Sequence, residues 1–328
     1  MLGVDRITVI IPAYRVEQHI KTCLDTVLQQ TYQETKVLVI DDGSTDETGS
    51  ICDEYTMIDC HFASIHTKNQ GSAMARNVGL DLVDSEIIAM IDSDDCVNIN
   101  YLSDMYQTMV ETKADIVSHL NQGFVNDEDI DTKEVIQINE EDIQVLSRKQ
   151  TMARIVNEYR PAYITPFKLY KTSLFYNLRY PNVKKNDDEW IIHQLIDRID
   201  KVAFLNVKNY YYRFNPDSQT RSFSVDVFSD VFALLDRLNL LREKYSNLAE
   251  VGERNFFYRV MDVLNQCNSH SIDWNSHYMK IKREMKYIFW RNIKNQRSLY
   301  SRRDLLRIGM FVYFPSVYFK NLPRKNGE

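Results

Sequence analysis

Glu86-Ile-Ile-Ala-Met-Ile-Asp-Ser-Asp-Asp95 runs from a strand-length apolar stretch straight into three carboxylates within four residues. Like charges crowded at a strand end repel one another unless a cation sits among them. A divalent ion with oxygen ligands, Mg2+ or Mn2+, meets that need when diphosphate oxygens complete its shell. A solvated acidic loop accounts for the same residues with no ligand at all. The pattern on either side of this stretch separates the two readings.

Upstream, apolar runs at 7–11, 36–40 and 62–66 alternate with helical patterns at 17–30, from Ser44 onward, and at 72–83, and 86–91 is the fourth strand. In the first helix Ile20, Leu24, Val27 and Leu28 share one face. The Ser/Thr/Asp/Glu cluster at Ser44 reads as a helix start. Strand–helix alternation at this spacing predicts an α/β fold, a parallel sheet covered by helices on both faces. Ligands in such sheets bind at the carboxyl ends of strands, where all the polar motifs of this half fall. Downstream, 121–141 is acidic and polar and reads as an excursion or hairpin. A helix at 148–158, strands at 162–170 and 202–213 and a helix at 189–200 follow, and the pattern is helical from Val225 to the end.

Three further constellations accompany the acidic strand end. Pro12-Ala13-Tyr14 and Asp41-Asp42-Gly43-Ser44 close the first two strands. A carboxylate there can accept the imide N–H of uracil while an aromatic covers the base; a turn followed by a helix cap explains the same residues structurally. Asn69-Gln70-Gly71-Ser72 opens a helix whose free N–H groups can face an anion, with Arg76 one turn in. Arg76 reaches either a diphosphate or the acidic motif, or lies on the surface of an amphipathic helix. Asp187-Asp188-Glu189-Trp190 begins a helix, where the dipole stabilises carboxylates. An aromatic neighbour can also raise one carboxyl's pKa until it serves as a base.

Composition excludes several classes. The 44% hydrophobic and 26% charged fractions are those of a globular protein, and 9 glycines beside 20 tyrosines argue against low complexity. Five scattered cysteines, Cys23, Cys52, Cys60, Cys96 and Cys267, make neither a disulfide framework nor a zinc pattern, which suits a reducing compartment. No signal segment opens the chain, and no apolar stretch reaches the roughly 18 residues of a spanning helix. A sugar nucleotidyltransferase would want a glycine- and lysine-rich loop after strand one, and Tyr14-Arg15-Val16 does not supply it. The net charge of −6 conceals an asymmetry: residues 275–328 hold 13 Lys/Arg against 3 Asp/Glu. A basic tail on an acidic body points to an anionic partner surface. Its interleaved Tyr287, Phe289 and Trp290 suit an interfacial helix on a membrane, or a bundle packed on the body or on a second subunit. Nucleic acid is not needed to explain it.

Taken in order, VIIPAY, VLVIDDGSTDET, NQGSAMARNVGL, IAMIDSDD and NDDEW resemble glycosyltransferase family 2, the inverting enzymes with the GT-A fold. The matching segments cover 7–190, and NYYYRFNPDSQTRS at 209–222 looks like the segment that closes the domain in bacterial polysaccharide enzymes. The resemblance implies a GT-A fold with a mostly parallel central sheet: a catalytic domain over 1–222, with a nucleotide-binding half (1–120) and an acceptor-side half (121–222). A helical, basic region at 223–328 follows. It implies a metal-dependent transfer of a hexose or N-acetylhexosamine from a UDP-sugar to a saccharide or polyprenyl-linked acceptor, in the cytoplasm at the inner face of the membrane.

Carried onto this chain, Ala13, Tyr14 and Asp42 hold the uridine, with Pro12 beside them and Asp41 supporting the turn. Arg76 contacts the donor or the acidic motif. Asp92 and Asp94 occupy the DxD positions, Ser93 lies between them on the donor side, and Asp94 or Asp95 touches Mn2+ or Mg2+. Asp188 is the base. Asp187 stands where the family often has Glu, which leaves open which of Asp187, Asp188 and Glu189 points inward. A non-catalytic sugar-nucleotide-binding partner subunit is the alternative of a different class, and a homo-oligomer is compatible with either.

Overall fold

The computed structural model describes residues 6–119, 123–125, 132–158, 168–213, 225–294 and 302–315, together with Tyr318. The chain divides into two compact units, Met1–Ser218 and Gln219–Glu328.

The first unit is built on an eight-stranded sheet. Strands β1 (Ile7–Ala13), β2 (Thr35–Asp41), β3 (Phe62–His66) and β4 (Ile87–Met90) are mutually parallel in the order β3-β2-β1-β4. Beyond β4 the order continues through β9 (Lys168–Lys171), β6 (Ile116–His119), β10 (Lys201–Leu205) and β8 (Ile143–Ser147). Here β9 is antiparallel to both neighbours and β8 is antiparallel to β10. The sheet is therefore mostly parallel, with two antiparallel insertions. A smaller sheet sets β11 (Tyr210–Arg213) between β5 (Cys96–Val97) and β7 (Gly123–Val125).

Strand alternation sends successive side chains to opposite faces. Ile7, Val9 and Ile11 of β1 pack in one core with residues of α1 (Ile20–Leu28), α2 (Thr48–Ile58) and α4 (Tyr101–Thr112). Ile10 points the other way, onto α3 (Ser72–Asp81), so closely that a Cβ on Gly79 would stand 2.5 Å from its Cγ2. Both faces are thus covered. Pro12, which has no N–H to donate, is tolerated because the β4 ladder stops at Ile10. The remaining helices of this unit are α5 (Arg148–Glu158) and α6 (Asp187–Arg198).

Several expected boundaries move. The first helix begins at Ile20 rather than Glu17, because Glu17 bridges to the next loop: its carboxylate accepts the Glu47 N–H at 2.9 Å. The second begins at Thr48, and the Ser44 hydroxyl accepts the Arg15 N–H at 3.0 Å instead of capping it. The run expected as one strand at 202–213 is two strands in two sheets, β10 and β11. Asn209 breaks it, being buried and donating to Asp104 at 2.8 Å. Residues 162–167, 126–131 and 214–222 of the expected strand, excursion and closing segment lie outside the described residues.

The second unit packs α7 (Phe228–Lys244), α8 (Ala249–Ser269), α9 (Asn275–Lys294) and α10 (Arg302–Tyr313) around a core that includes Phe256, Phe257, Ile281, Met285 and Phe311. No helix among the described residues is long and apolar enough to cross a membrane. All five cysteines are free.

Candidate active site

The carboxyl ends of β1, β2 and β3 are tied together by backbone bonds. Asp42 N donates to the Ala13 carbonyl at 2.8 Å, and Thr67 N donates to the Asp41 carbonyl at 2.8 Å. Asp41, buried, accepts Ser44 N at 3.0 Å through one oxygen and pairs with His66 Nδ1 at 2.8 Å through the other. Burial opposes ionisation of Asp41, but the Ser44 and His66 bonds outweigh it and hold the carboxyl below its ordinary range. Gly43 is required in this turn: its φ is +74°, and a Cβ would lie 2.8 Å from Asn69 N. Tyr14 stands half-buried at the lip with the Arg15 guanidinium 5.4 Å from its ring centre. Pro12 and Ala13 are buried in β1 and contribute backbone.

Asp42 has a second task that motif reading does not show. Its carboxylate accepts Gly71 N at 2.7 Å, Gln70 N at 2.9 Å and Thr67 Oγ1 at 3.2 Å. It therefore satisfies N–H groups at the start of α3, which have no partners within the helix. One turn later the same helix presents Arg76, which is 7% exposed. Nη1 donates to Asp187 Oδ2 at 2.7 Å, and Nη2 donates to Asp92 Oδ1 at 3.0 Å. Its neighbour Asn77 exchanges two hydrogen bonds, 2.8 and 2.9 Å, with the backbone of Tyr180, just before α6. Helix α3 thus gathers the β2 turn, the acidic end of β4 and the start of α6 into one place. These come from stretches more than a hundred residues apart.

The three carboxylates at the end of β4 divide by environment. Asp92 shares Arg76. Asp94 is half-buried, and burial and then Asp92 push its carboxyl up to about 6. Asp95, expected beside Asp94 as a metal candidate, sits in a different environment. It is fully buried and spends both oxygens on β11, accepting the Tyr210 hydroxyl at 2.7 Å and Arg213 N at 2.8 Å. Ser93 is buried between them. Among the described residues, only Asp59, Cys60 and His61 bring three potential ligand atoms within 4.8 Å of one another, on a surface loop. A cation at Asp92 and Asp94 would therefore take carboxylate oxygens from few protein groups and need others from its ligand. The hard, oxygen-only, incompletely neutralised donor set fits Mg2+ or Mn2+.

At the α6 entry Asn186 adopts φ +57°, a left-handed conformation that asparagine tolerates, and places three acids in the first turn. Asp187 is buried and committed to Arg76. Asp188 is half-buried, and burial, then Asp187 and Glu189, raise its carboxyl to about 7 against the opposing pull of Arg76. Its affinity for a proton thereby lies where a general base works near neutrality.

Lys168 was missed by motif reading. It opens β9, and because β9 runs against β4 and β6 it sits at their carboxyl ends, paired with Met90 and Ser118. Its ammonium is buried and falls to about 7, with Asp188 working in the opposite direction. A charged residue inside an apolar strand was the available signal. Tyr210 and Arg213 were missed too, since nothing local pairs them with Asp95. A cavity of about 570 Å3 lined by Ser85, Glu86, Lys113 and Lys171 lies at the opposite end of β4 and contains none of these groups.

Comparison with known proteins agrees with this geometry. Residues 8–179 match the family model described as Glycosyl transferase family 2. Glycosyltransferase GlyG of Streptococcus pneumoniae is 30% identical over 275 residues, covering 78% of this chain and 90% of GlyG. The poly(ribitol-phosphate) beta-N-acetylglucosaminyltransferase TarS of Staphylococcus aureus is 26% identical over 77% of this chain and 44% of its own length. Crystal structures of TarS residues 1–349 with UDP and with UDP-GlcNAc superpose with TM-scores of 0.66 and 0.63 at 19% and 20% identity; each covers 96% of this chain and 88% of the crystallised one. That likeness establishes the GT-A fold. With the family model spanning more than half of the chain, including Asp42, Arg76 and Asp92, the chain belongs to glycosyltransferase family 2.

Proposed function

We propose that the chain transfers a hexose or N-acetylhexosamine from a UDP-sugar, with inversion, to a saccharide or lipid-linked saccharide in bacterial surface or exopolysaccharide synthesis. The observation that carries this reading is the Arg76 bridge. It places Asp188, a carboxyl that titrates near 7, on the same scaffold as the acidic end of β4. Support for a uridine donor comes from the Tyr14 and Asp41-Asp42 turn, and from UDP and UDP-GlcNAc bound to TarS.

In this reading the base and ribose rest between Tyr14 and the β2 turn, and the diphosphate lies toward Arg76, Asp92 and Ser93. Asp94, with Asp92, would hold Mn2+ or Mg2+, which when bound neutralises charge on the departing diphosphate. Asp188 takes the proton from the acceptor hydroxyl as that oxygen bonds to the anomeric carbon. The bond from that carbon to the diphosphate breaks on the opposite face. In-line attack inverts the carbon, so an α-linked donor gives a β-glycoside. Asp187 orients Arg76 and takes no proton.

The test is transfer or hydrolysis of UDP-glucose, UDP-galactose and their N-acetyl forms with Mn2+, for wild type and Asp188→Asn. Turnover of one donor that the variant loses supports the reading. UDP binding with no turnover of any donor or acceptor overturns it in favour of a silent sugar-nucleotide-binding subunit.

A further inference from the structure

In the second unit, burial and helical spacing disagree on one side of α9 and α10. Helix α9 turns Tyr278, Ile281, Met285, Ile288 and Phe289 into the core. Its opposite side exposes Met279, Tyr287, Trp290 and Ile293, each between 46% and 64% accessible. The only acid of α9, Glu284, is half-buried and paired with Arg242 at 2.6 Å, so the exposed side is cationic as well as apolar.

Helix α10 repeats the pattern. Ile308, Phe311 and Val312 are buried, whereas Leu306 is 73% exposed, Met310 45%, Tyr313 38%, and Phe314, just past its end, 63%. Their spacing of four, seven and eight residues puts them on one stripe, where a helix facing water carries polar groups. The two stripes meet. Trp290 Nε1 donates to the Tyr313 hydroxyl at 2.5 Å, and the Lys286 ammonium lies 5.3 Å from the Tyr313 ring centre. The two helices thus share an exposed apolar and aromatic face and also carry the exposed Lys294 and Arg307 and the half-buried Lys286.

We propose that this face of α9 and α10 docks on the surface of an anionic phospholipid bilayer. Charge decides the occupant. The segment 275–328 carries 13 Lys/Arg against 3 Asp/Glu, so a second copy offering the same face would bring like charge to like charge. A bilayer rich in anionic headgroups neutralises the cations, admits Leu306, Met310 and Phe314 to the acyl boundary, and holds Trp290 and Tyr313 at headgroup level. Since neither helix can cross a bilayer, the mode is interfacial. This inference does not depend on the transferase reading.

Flotation of the full chain with vesicles of phosphatidylcholine, with and without phosphatidylglycerol, tests it. Wild type is expected to float only with the anionic vesicles and to be released as salt rises. A Leu306→Ser, Met310→Ser, Phe314→Ser variant and a Lys286→Gln, Lys294→Gln variant are each expected to lose about tenfold or more in partitioning. The altered side chains carry no part of the core, so melting temperatures should stay at the wild-type value, and a fall would disqualify that variant in favour of the other. Flotation unchanged in the folded variants, equal binding to neutral vesicles, or no flotation of wild type would overturn the proposal. So would a wild-type dimer that the variants abolish without any vesicle binding.

Discussion

Each unit holds a charge triad in its interior, and the two are mirror images. In the first, Arg76 lies between two carboxylates, Asp92 and Asp187. In the second, the fully buried Glu253 lies between two guanidiniums, Arg242 and Arg291. Both acids of the Arg76 triad have a further acid beside them: burial and then Asp92 raise Asp94 to about 6, and burial, then Asp187 and Glu189, raise Asp188 to about 7. Around Glu253, among the described residues, two guanidiniums meet two carboxylates, because Arg242 also pairs with Glu284. A buried network whose charges balance is an anchor. One that leaves like charges in excess stores an electrostatic demand that a cation, a diphosphate phosphoryl group held by one, or a proton from an acceptor can answer.

The sharpest break of this comparison is Asp188→Asn. Removing a general base should cut transfer by about 10²- to 10⁴-fold with unchanged melting temperature; a variant retaining wild-type turnover would put the base elsewhere. Next, Arg76→Met and Glu253→Gln each disrupt a buried ion network, a class of change worth about 3–5 kcal/mol of stability when it strands the partners. Denaturant unfolding should register both losses. Only Arg76→Met should also reduce activity per folded molecule, because only that triad adjoins the proposed base.

Smaller effects sharpen the electrostatics. Asp188 must be ionised to accept a proton, so with its carboxyl at about 7 the rate should rise with pH through that region and fall below it. Asp187→Asn removes a like charge and releases Arg76 to act on Asp188. Its acid limb should therefore move down, toward about pH 6. Lys168→Met removes a cation and should move the same limb upward, by a smaller amount because burial already weakens the ammonium's charge. A pH–rate series on the three proteins checks both signs; shifts in the same direction would show that neither side chain acts through Asp188.

How much was readable in advance depended on the range of the interaction. Strand β4 and its acidic end, the β2 turn and the α3 entry were legible, because apolar periodicity, capping residues and glycine are local signals. Residues 202–213 were not legible as two strands, since the split depends on Asn209 meeting Asp104 from another helix. Asp95 looked equivalent to Asp94 for the same reason: its different environment comes from Tyr210 and Arg213, which lie more than a hundred residues later.

The order and chemistry of the motifs belonged to the sequence alone: carboxylates after strands, a glycine where φ must be positive, an arginine one helical turn beyond it. Local backbone conformation and the chemical type of each side chain are set along the chain. Which acid suits the proposed role of proton acceptor was decided only by the tertiary structure. Asp187 and Asp188 are the same residue type at adjacent positions, yet one meets Arg76 and the other is desolvated beside like charges, and a pKa is set by what surrounds a group in space.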